Sequence, residues 1–206
     1  MNSTEAKLLD LALRSGKSHK SLNSLKLFHI RPALRKIARV EFKNGNPKGF
    51  VCMAPSQSAM QLVMDNIYPL LKRGIFEEAF MFGYVAGRIA STGLLVPDEM
   101  EFLLSFCDRG KLLKAGDPLP EGDRYVLYRG VGDEDDIQSV RRWSWTSSLE
   151  KAWWFAKHAS KAYGTNNPAV YRLEVEKGQV LAYTNQRKEE EYIVHVRSKD
   201  RPVKVN

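Results

Sequence analysis

The amino-acid sequence predicts an α+β protein in which helices come first and strands follow. Apolar residues recur at helical spacing through residues 1–115, whereas short segments rich in β-branched and aromatic residues occupy residues 116–206. The change falls at Gly116–Asp123, where Pro, Gly and acidic residues are typical of a linker. A run of helices followed by a run of strands indicates an α+β fold, and 206 residues suit one domain or one with an appendage.

Helices are expected wherever apolar residues recur every three or four positions between Gly and Pro signals. The expected helical segments are residues 4–15, 25–40, 56–73, 76–91 and 98–107. Pro32 should start or kink the second segment, Pro69 should kink or split the third, and Gly110 should close the last. Polar residues predict a loop at Gly16–Ser24 and a turn at Asn44–Gly49.

The second half of the chain has shorter elements. Alternating apolar residues predict strands at Tyr125–Tyr128, Ala169–Val175, Val180–Tyr183, Tyr192–Val196 and Val203–Val205. The serine-rich segment Ser144–Ser148 should form a further strand that leads into a helix at Leu149–Tyr163.

Composition limits the compartment and the cofactors. The hydrophobic content of 43% is enough for a packed core, and no run approaches the ~20 apolar residues of a membrane span. The polar N-terminus lacks the pattern of a signal peptide, so we expect a cytoplasmic protein of the producing cell or a host cell. Cys52 and Cys107 are too far apart in the chain for a metal-ligand motif, and we expect no metal.

The positive charge is concentrated near the N-terminus. Residues 1–50 hold eleven Lys and Arg against three Asp and Glu, and this difference of +8 equals the net charge of the whole chain. Such a basic segment can attract nucleic acid, an acidic partner or a membrane surface, or it can be a solvated helix face.

Three short motifs follow one another along the second half. They are Tyr128-Arg129-Gly130, then Ser144-Trp145-Thr146 with Phe155-Ala156 after it, then Glu189-Glu190-Glu191 at the start of an apolar strand. In this order the motifs resemble the Arg–Ser–Glu class of mono-ADP-ribosyltransferases, which includes clostridial binary toxins and small phage transferases. The resemblance covers about residues 112–206 and implies a helical N-terminal lobe packed on a split, mainly antiparallel sheet that binds NAD.

The resemblance implies a role for each motif residue, and the chemistry of NAD cleavage suits those roles. Loss of nicotinamide develops positive charge on the ribose, which a fixed carboxylate at Glu191 would stabilise. Ser144 would orient Glu191, Arg129 would bind the diphosphate, and Gly130 would let the backbone approach nicotinamide. The other residues expected to bind NAD are Thr146 and Phe155. NAD is then a consumed substrate.

Glu189 would act on the acceptor. It lies two residues before Glu191, so on an extended segment both carboxylates would point to one face. In the family a glutamate at this position accompanies transfer to arginine side chains, which it would position or deprotonate. The resemblance therefore favours an arginine of a target protein as the acceptor, met by the loop at residues 184–188.

The serine motif can also be aligned two residues later and the acidic motif one residue earlier, and the motif residues could have purely structural roles. Trp145 is bulkier than the residue usual at that position, and a frame at Thr146-Ser147-Ser148 avoids it. A second acidic frame would pair Lys188 with Glu190, which replaces the first glutamate by a lysine. Arg129 could be a surface ion-pair partner, and the serines could cap the helix that follows.

Three alternative functions remain open from sequence. The core could modify DNA or RNA held by the basic residues 1–50, with salt-sensitive binding as its sign. It could use water as acceptor and act as an NAD glycohydrolase. It could also bind a partner or a nucleotide without turnover.

Overall fold

A computed structural model describes residues 3–87 and 97–205. The chain divides into two compact units, Met1–Leu112 and Leu113–Asn206. The first is helical, and the second contains a six-stranded antiparallel sheet with helices. The predicted α+β class is therefore confirmed.

Short helices make up the first part of the chain, and two of those described begin at a proline. In order they are α1 Ser3–Ser15, α2 His19–Leu22, α3 Arg35–Lys43, α4 Pro47–Val51, α5 Ala59–Asp65, α6 Ile67–Arg73, α7 Phe76–Gly87, α8 Pro97–Phe106 and α9 Arg109–Ala115. Single 3-10 turns at Pro32–Leu34 and Ser56–Ser58 precede α3 and α5. The last part of the predicted helix 76–91 lies outside the described residues.

The predicted helix 56–73 is interrupted, but at Asn66 and not at Pro69. Asn66 is fully buried, and its side chain binds the backbone N–H of Lys26 at 2.9 Å and the carbonyl oxygens of Lys26 and Leu62 at 2.9 and 2.8 Å. These bonds fix the bend between α5 and α6. Pro69 lies in the first turn of α6, where its missing N–H breaks no helical bond.

Other boundaries in this unit differ from the sequence expectation for local reasons. The predicted helix 25–40 becomes helical only at Pro32, because proline favours the first helical position. Helix α4 begins inside the predicted turn, where the Asn46 side chain accepts a bond from Gly49 N–H at 3.0 Å and caps it. Gly110 lies inside α9 and closes no helix, and α2 occupies part of the predicted loop 16–24.

The sheet of the second unit has the strand order β4-β5-β2-β1-β3-β6, with neighbouring strands antiparallel. The strands are β1 Arg124–Val131, β2 Ser144–Thr146, β3 Ala169–Glu176, β4 Val180–Thr184, β5 Glu191–Val194 and β6 Val203–Lys204. The β1–β3 ladder runs from Arg124 opposite Glu176 to Val131 opposite Ala169. Among the described residues, β1 pairs with β2 only at Tyr128 and Thr146. The half of the sheet made of β1, β3 and β6 therefore joins the half made of β4, β5 and β2 through a ladder much shorter than the β1–β3 ladder.

This unit also contains two α-helices, α10 at Ile137–Val140 and α11 at Leu149–Tyr163, and a single 3-10 turn at Lys177–Gln179. The bounds of α11 are those predicted. Ser148 caps its first turn by accepting a bond from Lys151 N–H at 3.3 Å, and Gly164 ends it with a left-handed φ of 69°.

Helix α11 packs directly on β1 because two glycines face it. A Cβ atom on Gly130 would lie 2.0 Å from the carbonyl oxygen of Ala152, and one on Gly132 would lie 2.9 Å from the backbone nitrogen of Ser160. On the helix side the contact is formed by Ala152 and Ala156, both fully buried. Small residues on both elements therefore bring the helix backbone against the strand.

Replacing Gly130 by alanine should destabilise the protein. The clash would be with helix backbone, so it can be relieved only by moving α11 away from β1. We expect the free energy of unfolding to fall by about 1–3 kcal/mol, measured by urea unfolding. Gly178→Ala is the matched control, since nothing lies within 4 Å of its added Cβ, and its effect should stay within about 0.5 kcal/mol. Equal stability of the two variants would contradict this packing.

Candidate active site

The two faces of strand β2 have different surroundings. The bulky Trp145 side chain lies on the core face, so it does not occupy the face that carries Ser144. Trp145 is 1% exposed and lies in the core cluster with Leu127, Leu173 and Val194. Its indole N–H donates to the carbonyl oxygen of Arg142 at 2.9 Å. Because side chains alternate along a strand, Ser144 and Thr146 project from the opposite face.

Ser144 and Glu191 are joined by a hydrogen bond across neighbouring strands. Thr146 is directly opposite Glu191 in the β2–β5 ladder, which makes Ser144 the diagonal neighbour of Glu191 on the same face. The Ser144 hydroxyl donates to Glu191 Oε1 at 2.6 Å. Glu191 is only 3% exposed, so its carboxylate is both buried and held in one orientation. The bond expected from the sequence is present.

Arg187 binds both candidate carboxylates. Its Nη2 atom lies 2.8 Å from Glu189 Oε2 and 2.8 Å from Glu191 Oε2. The Arg187 side chain is 20% exposed, and that of Glu189 is 28% exposed. A partly exposed arginine side chain therefore bridges the two glutamates.

The backbone between these glutamates is a tight turn and not the extended segment we predicted. Lys188 and Glu190 have left-handed φ angles of 58° and 49°, which are uncommon for residues other than glycine. Strand β5 begins only at Glu191. The shared face of Glu189 and Glu191 thus comes from the turn and from Arg187, and the predicted extended backbone at these residues is wrong.

Glu190 points to other partners than its two neighbours in the acidic motif. Its Oε1 accepts a bond from the Lys151 ammonium at 2.6 Å, and its Oε2 accepts one from the Ser147 hydroxyl at 2.6 Å. These bonds lower the pKa of Glu190, with the Lys151 bond as the larger cause and the Ser147 bond second. Glu190 therefore fastens the turn to the first turn of α11.

We call residues Thr184–Glu190 the acidic loop, and two further contacts fix it. The Asp117 carboxylate accepts bonds from the Asn185 N–H at 2.6 Å and the Thr184 hydroxyl at 3.1 Å. The Thr146 hydroxyl donates to the carbonyl oxygen of Glu189 at 2.7 Å. Thr146, predicted to bind NAD, is 5% exposed and here positions the backbone of Glu189.

Arg129 is joined to Ser144 through the backbone carbonyl oxygen of that residue. Strand alternation places Arg129 on the core face of β1, with Tyr125, Leu127 and Val131. Its Nε donates to the carbonyl oxygen of Ser139 at 2.5 Å, and its Nη1 donates to the carbonyl oxygen of Ser144. Arg129 therefore fixes the start of β2 through the backbone. Its contact with a diphosphate stays a prediction.

Gly130 and Phe155 both belong to the contact region of α11. The close backbone approach at Gly130 is made by α11, which accounts for a glycine there without nicotinamide. Phe155 is half-buried on α11 and packs edge-on against Trp154, with ring centroids 5.1 Å apart. Contacts of either residue with NAD stay predictions.

Sequence reasoning missed the partners of the acidic residues. The sequence places Arg187 only in a target-facing loop and Ser147 only in an alternative serine frame or a helix cap, and it indicates no role at the site for Lys151 or Asp117. The available signal was a basic residue within four positions of two glutamates in a turn. A cation this close in the chain can reach both carboxylates, and opposite charges attract strongly at such short distances.

Tyrosines line the core beneath β5. Tyr192 is 3% exposed, and its ring packs against Tyr183 and Tyr125 at centroid distances of 4.8 and 5.3 Å. Burial, and then the two neighbouring tyrosines, raise the pKa of Tyr192 to about 12. The Tyr192 phenol thus stays uncharged across the ordinary pH range.

Within residues 3–87 and 97–205, no cluster of three or more His, Cys, Asp or Glu could hold a metal ion. In the same residues no helix is both long and apolar enough to cross a membrane. The chain matches no protein-family model, no curated protein and no solved structure. The case for a function therefore depends on the geometry of Ser144, Glu189 and Glu191 and on their chemistry.

Glu190→Gln should weaken the protein at neutral pH but not at acid pH. The lowered pKa of folded Glu190 means that its contribution to stability is present above the ordinary carboxyl pKa. That contribution is lost as the pH falls through the folded pKa. Because the side chain is 38% exposed, we expect a loss of only about 0.2–1 kcal/mol at pH 7.

Urea unfolding of the wild type and Glu190→Gln at pH 7 and near pH 3 measures this difference. Glu121→Gln is the control, because Glu121 is exposed in the segment before β1 and should show little change at either pH. A difference between wild type and Glu190→Gln that persisted at the acid pH would contradict the ion pair with Lys151.

Proposed function

We propose that this chain is an NAD-dependent mono-ADP-ribosyltransferase that modifies arginine side chains of a target protein. One observation carries the proposal: the buried Glu191 carboxylate is held by the Ser144 hydroxyl at 2.6 Å and shares a guanidinium with Glu189. The arrangement supplies an oriented anion for a ribose cation and a second anion beside a guanidinium. The order of the three sequence motifs supports the same class.

Glu191 and Ser144 suit the ribose end of NAD. Cleavage of the bond to nicotinamide leaves an oxocarbenium-like ribose, which a fixed carboxylate stabilises most strongly in a site with little water. Glu191 is 3% exposed, and Ser144 restricts its rotation. Its second oxygen, Oε2, faces Arg187 and would be shared with a ribose hydroxyl or an acceptor.

Glu189 suits the acceptor. Arg187 shows that a guanidinium fits between Glu189 and Glu191 at hydrogen-bond distance. A carboxylate in this position binds the planar donors of arginine and can accept the proton that the attacking nitrogen releases. This geometry favours arginine over a nucleic-acid base or water as the acceptor.

Arg129 takes part indirectly in this proposal. By holding the carbonyl oxygens of Ser139 and Ser144, it fixes the strand from which the Ser144 hydroxyl reaches Glu191. We therefore treat Arg129 first as a positioning residue, and its predicted role at the diphosphate is a separate claim.

The test is incubation with radiolabelled NAD and a bacterial lysate, with products separated on a gel. Wild type should label a protein band that survives nuclease treatment. Glu191→Gln should lower both transfer and NAD hydrolysis by at least about 10²-fold, because it removes the charge that stabilises the ribose cation. Glu189→Gln should lose transfer but keep some hydrolysis. Glu174→Gln, an exposed glutamate on β3, is the matched control and should keep transfer.

Each contrary result points to a different function. Label that nuclease removes would move the acceptor to nucleic acid and give the basic residues 1–50 a role. Free ADP-ribose without labelled macromolecule would indicate an NAD glycohydrolase. Intact NAD with every acceptor tried would leave a binding protein without turnover.

A further inference from the structure

Arg187 occupies the place that the proposed function reserves for an acceptor. Its Nη2 is 2.8 Å from the carboxylate of Glu189 and 2.8 Å from the carboxylate of Glu191. An acceptor arginine must reach the same two groups, because Glu191 would hold the ribose and Glu189 the attacking nitrogen. The chain thus carries its own guanidinium at the centre of the candidate site.

We propose that Arg187 is a self-modification site, which receives ADP-ribose from NAD bound to the same chain. The inference rests on the proposed function and adds a particular acceptor residue to it. Its support is that the Arg187 side chain is held at the two carboxylates and is still 20% exposed, so it is positioned without being fully buried.

The transfer step balances without a further reactant. An Nη nitrogen of Arg187 forms a bond to C1′ of the nicotinamide ribose, and the bond from C1′ to the nicotinamide nitrogen breaks. The electron pair of that bond leaves with nicotinamide, which becomes neutral. The guanidinium loses one proton, which the Glu189 carboxylate accepts, and the substituted guanidinium keeps its positive charge.

Modification within one chain follows from the way the acidic loop is held. Asp117, Thr146 and Glu190 fix the loop to neighbouring elements, so Arg187 does not need a second molecule to reach Glu189. An arginine held at the reacting groups has a large effective concentration. The product would fill the acceptor position, so a modified chain should transfer ADP-ribose to other arginines more slowly.

The experiment incubates the full chain with NAD, with and without agmatine as a small guanidine acceptor. Intact mass and peptide mapping locate any ADP-ribose on the chain. The variants are Arg187→Gln and Arg201→Gln; Arg201 is an exposed arginine whose guanidinium binds backbone oxygens of Ser198 and Asp200. A mixture of wild type with the Glu191→Gln chain, which retains Arg187, tests whether transfer stays within one molecule.

We expect ADP-ribose on Arg187 of the wild type and of the Arg201→Gln variant. The fraction of chains modified per unit time should not depend on the protein concentration. The Glu191→Gln chain in the mixture should stay unmodified, and agmatine transfer should slow by several-fold as wild type becomes modified. Mapping of the wild type decides the question even if Arg187→Gln fails to fold.

Other results would overturn the inference. Modified agmatine with unmodified Arg187 would refute self-modification and leave the proposed function standing. ADP-ribose at other residues only, equal in wild type and Arg187→Gln, would refute the assignment of the site. Unmodified chain, unmodified agmatine and intact NAD together would refute both the inference and the proposed function.

Discussion

The hydrogen bond from Ser144 to Glu191 is the interaction on which the candidate site depends. A carboxylate that is 3% exposed is costly to bury unless hydrogen bonds and a cation compensate it, and Ser144 and Arg187 supply both. The bond forms because β2 and β5 are adjacent and antiparallel, with Ser144 and Glu191 on one face. Trp145, on the other face, anchors β2 in the core and so fixes the direction of Ser144.

Two glycines and an arginine on β1 help to hold the elements that carry this bond in place. Gly130 and Gly132 let α11 lie against the strand, and the first turn of α11 then presents Lys151 to Glu190 of the acidic loop. Arg129 holds the carbonyl oxygen of Ser144 from the core side. The three sequence motifs are therefore parts of one packed arrangement, in which a motif residue can be required without touching a substrate.

The sequence predicted what local patterns determine and missed what tertiary contacts determine. Helix α11 was predicted with its observed bounds because Ser148 and Gly164 mark its ends. The break at Asn66 could not be predicted, since it depends on bonds to Lys26, forty residues away in the chain. In the site, the Ser144–Glu191 bond agrees with the orienting role that the family resemblance implied for Ser144. The bridging position of Arg187 depends on left-handed backbone at Lys188 and Glu190, which their residue types do not indicate.

Proton NMR of NAD with agmatine and the purified chain tests most directly whether this site cleaves NAD for transfer to a guanidine. We predict that wild type forms both nicotinamide and ADP-ribosyl-agmatine, and that Glu191→Gln forms both at least about 10²-fold more slowly. Intact NAD, or free ADP-ribose released at the same rate with and without agmatine, would contradict an arginine-directed transferase at Ser144, Glu189 and Glu191.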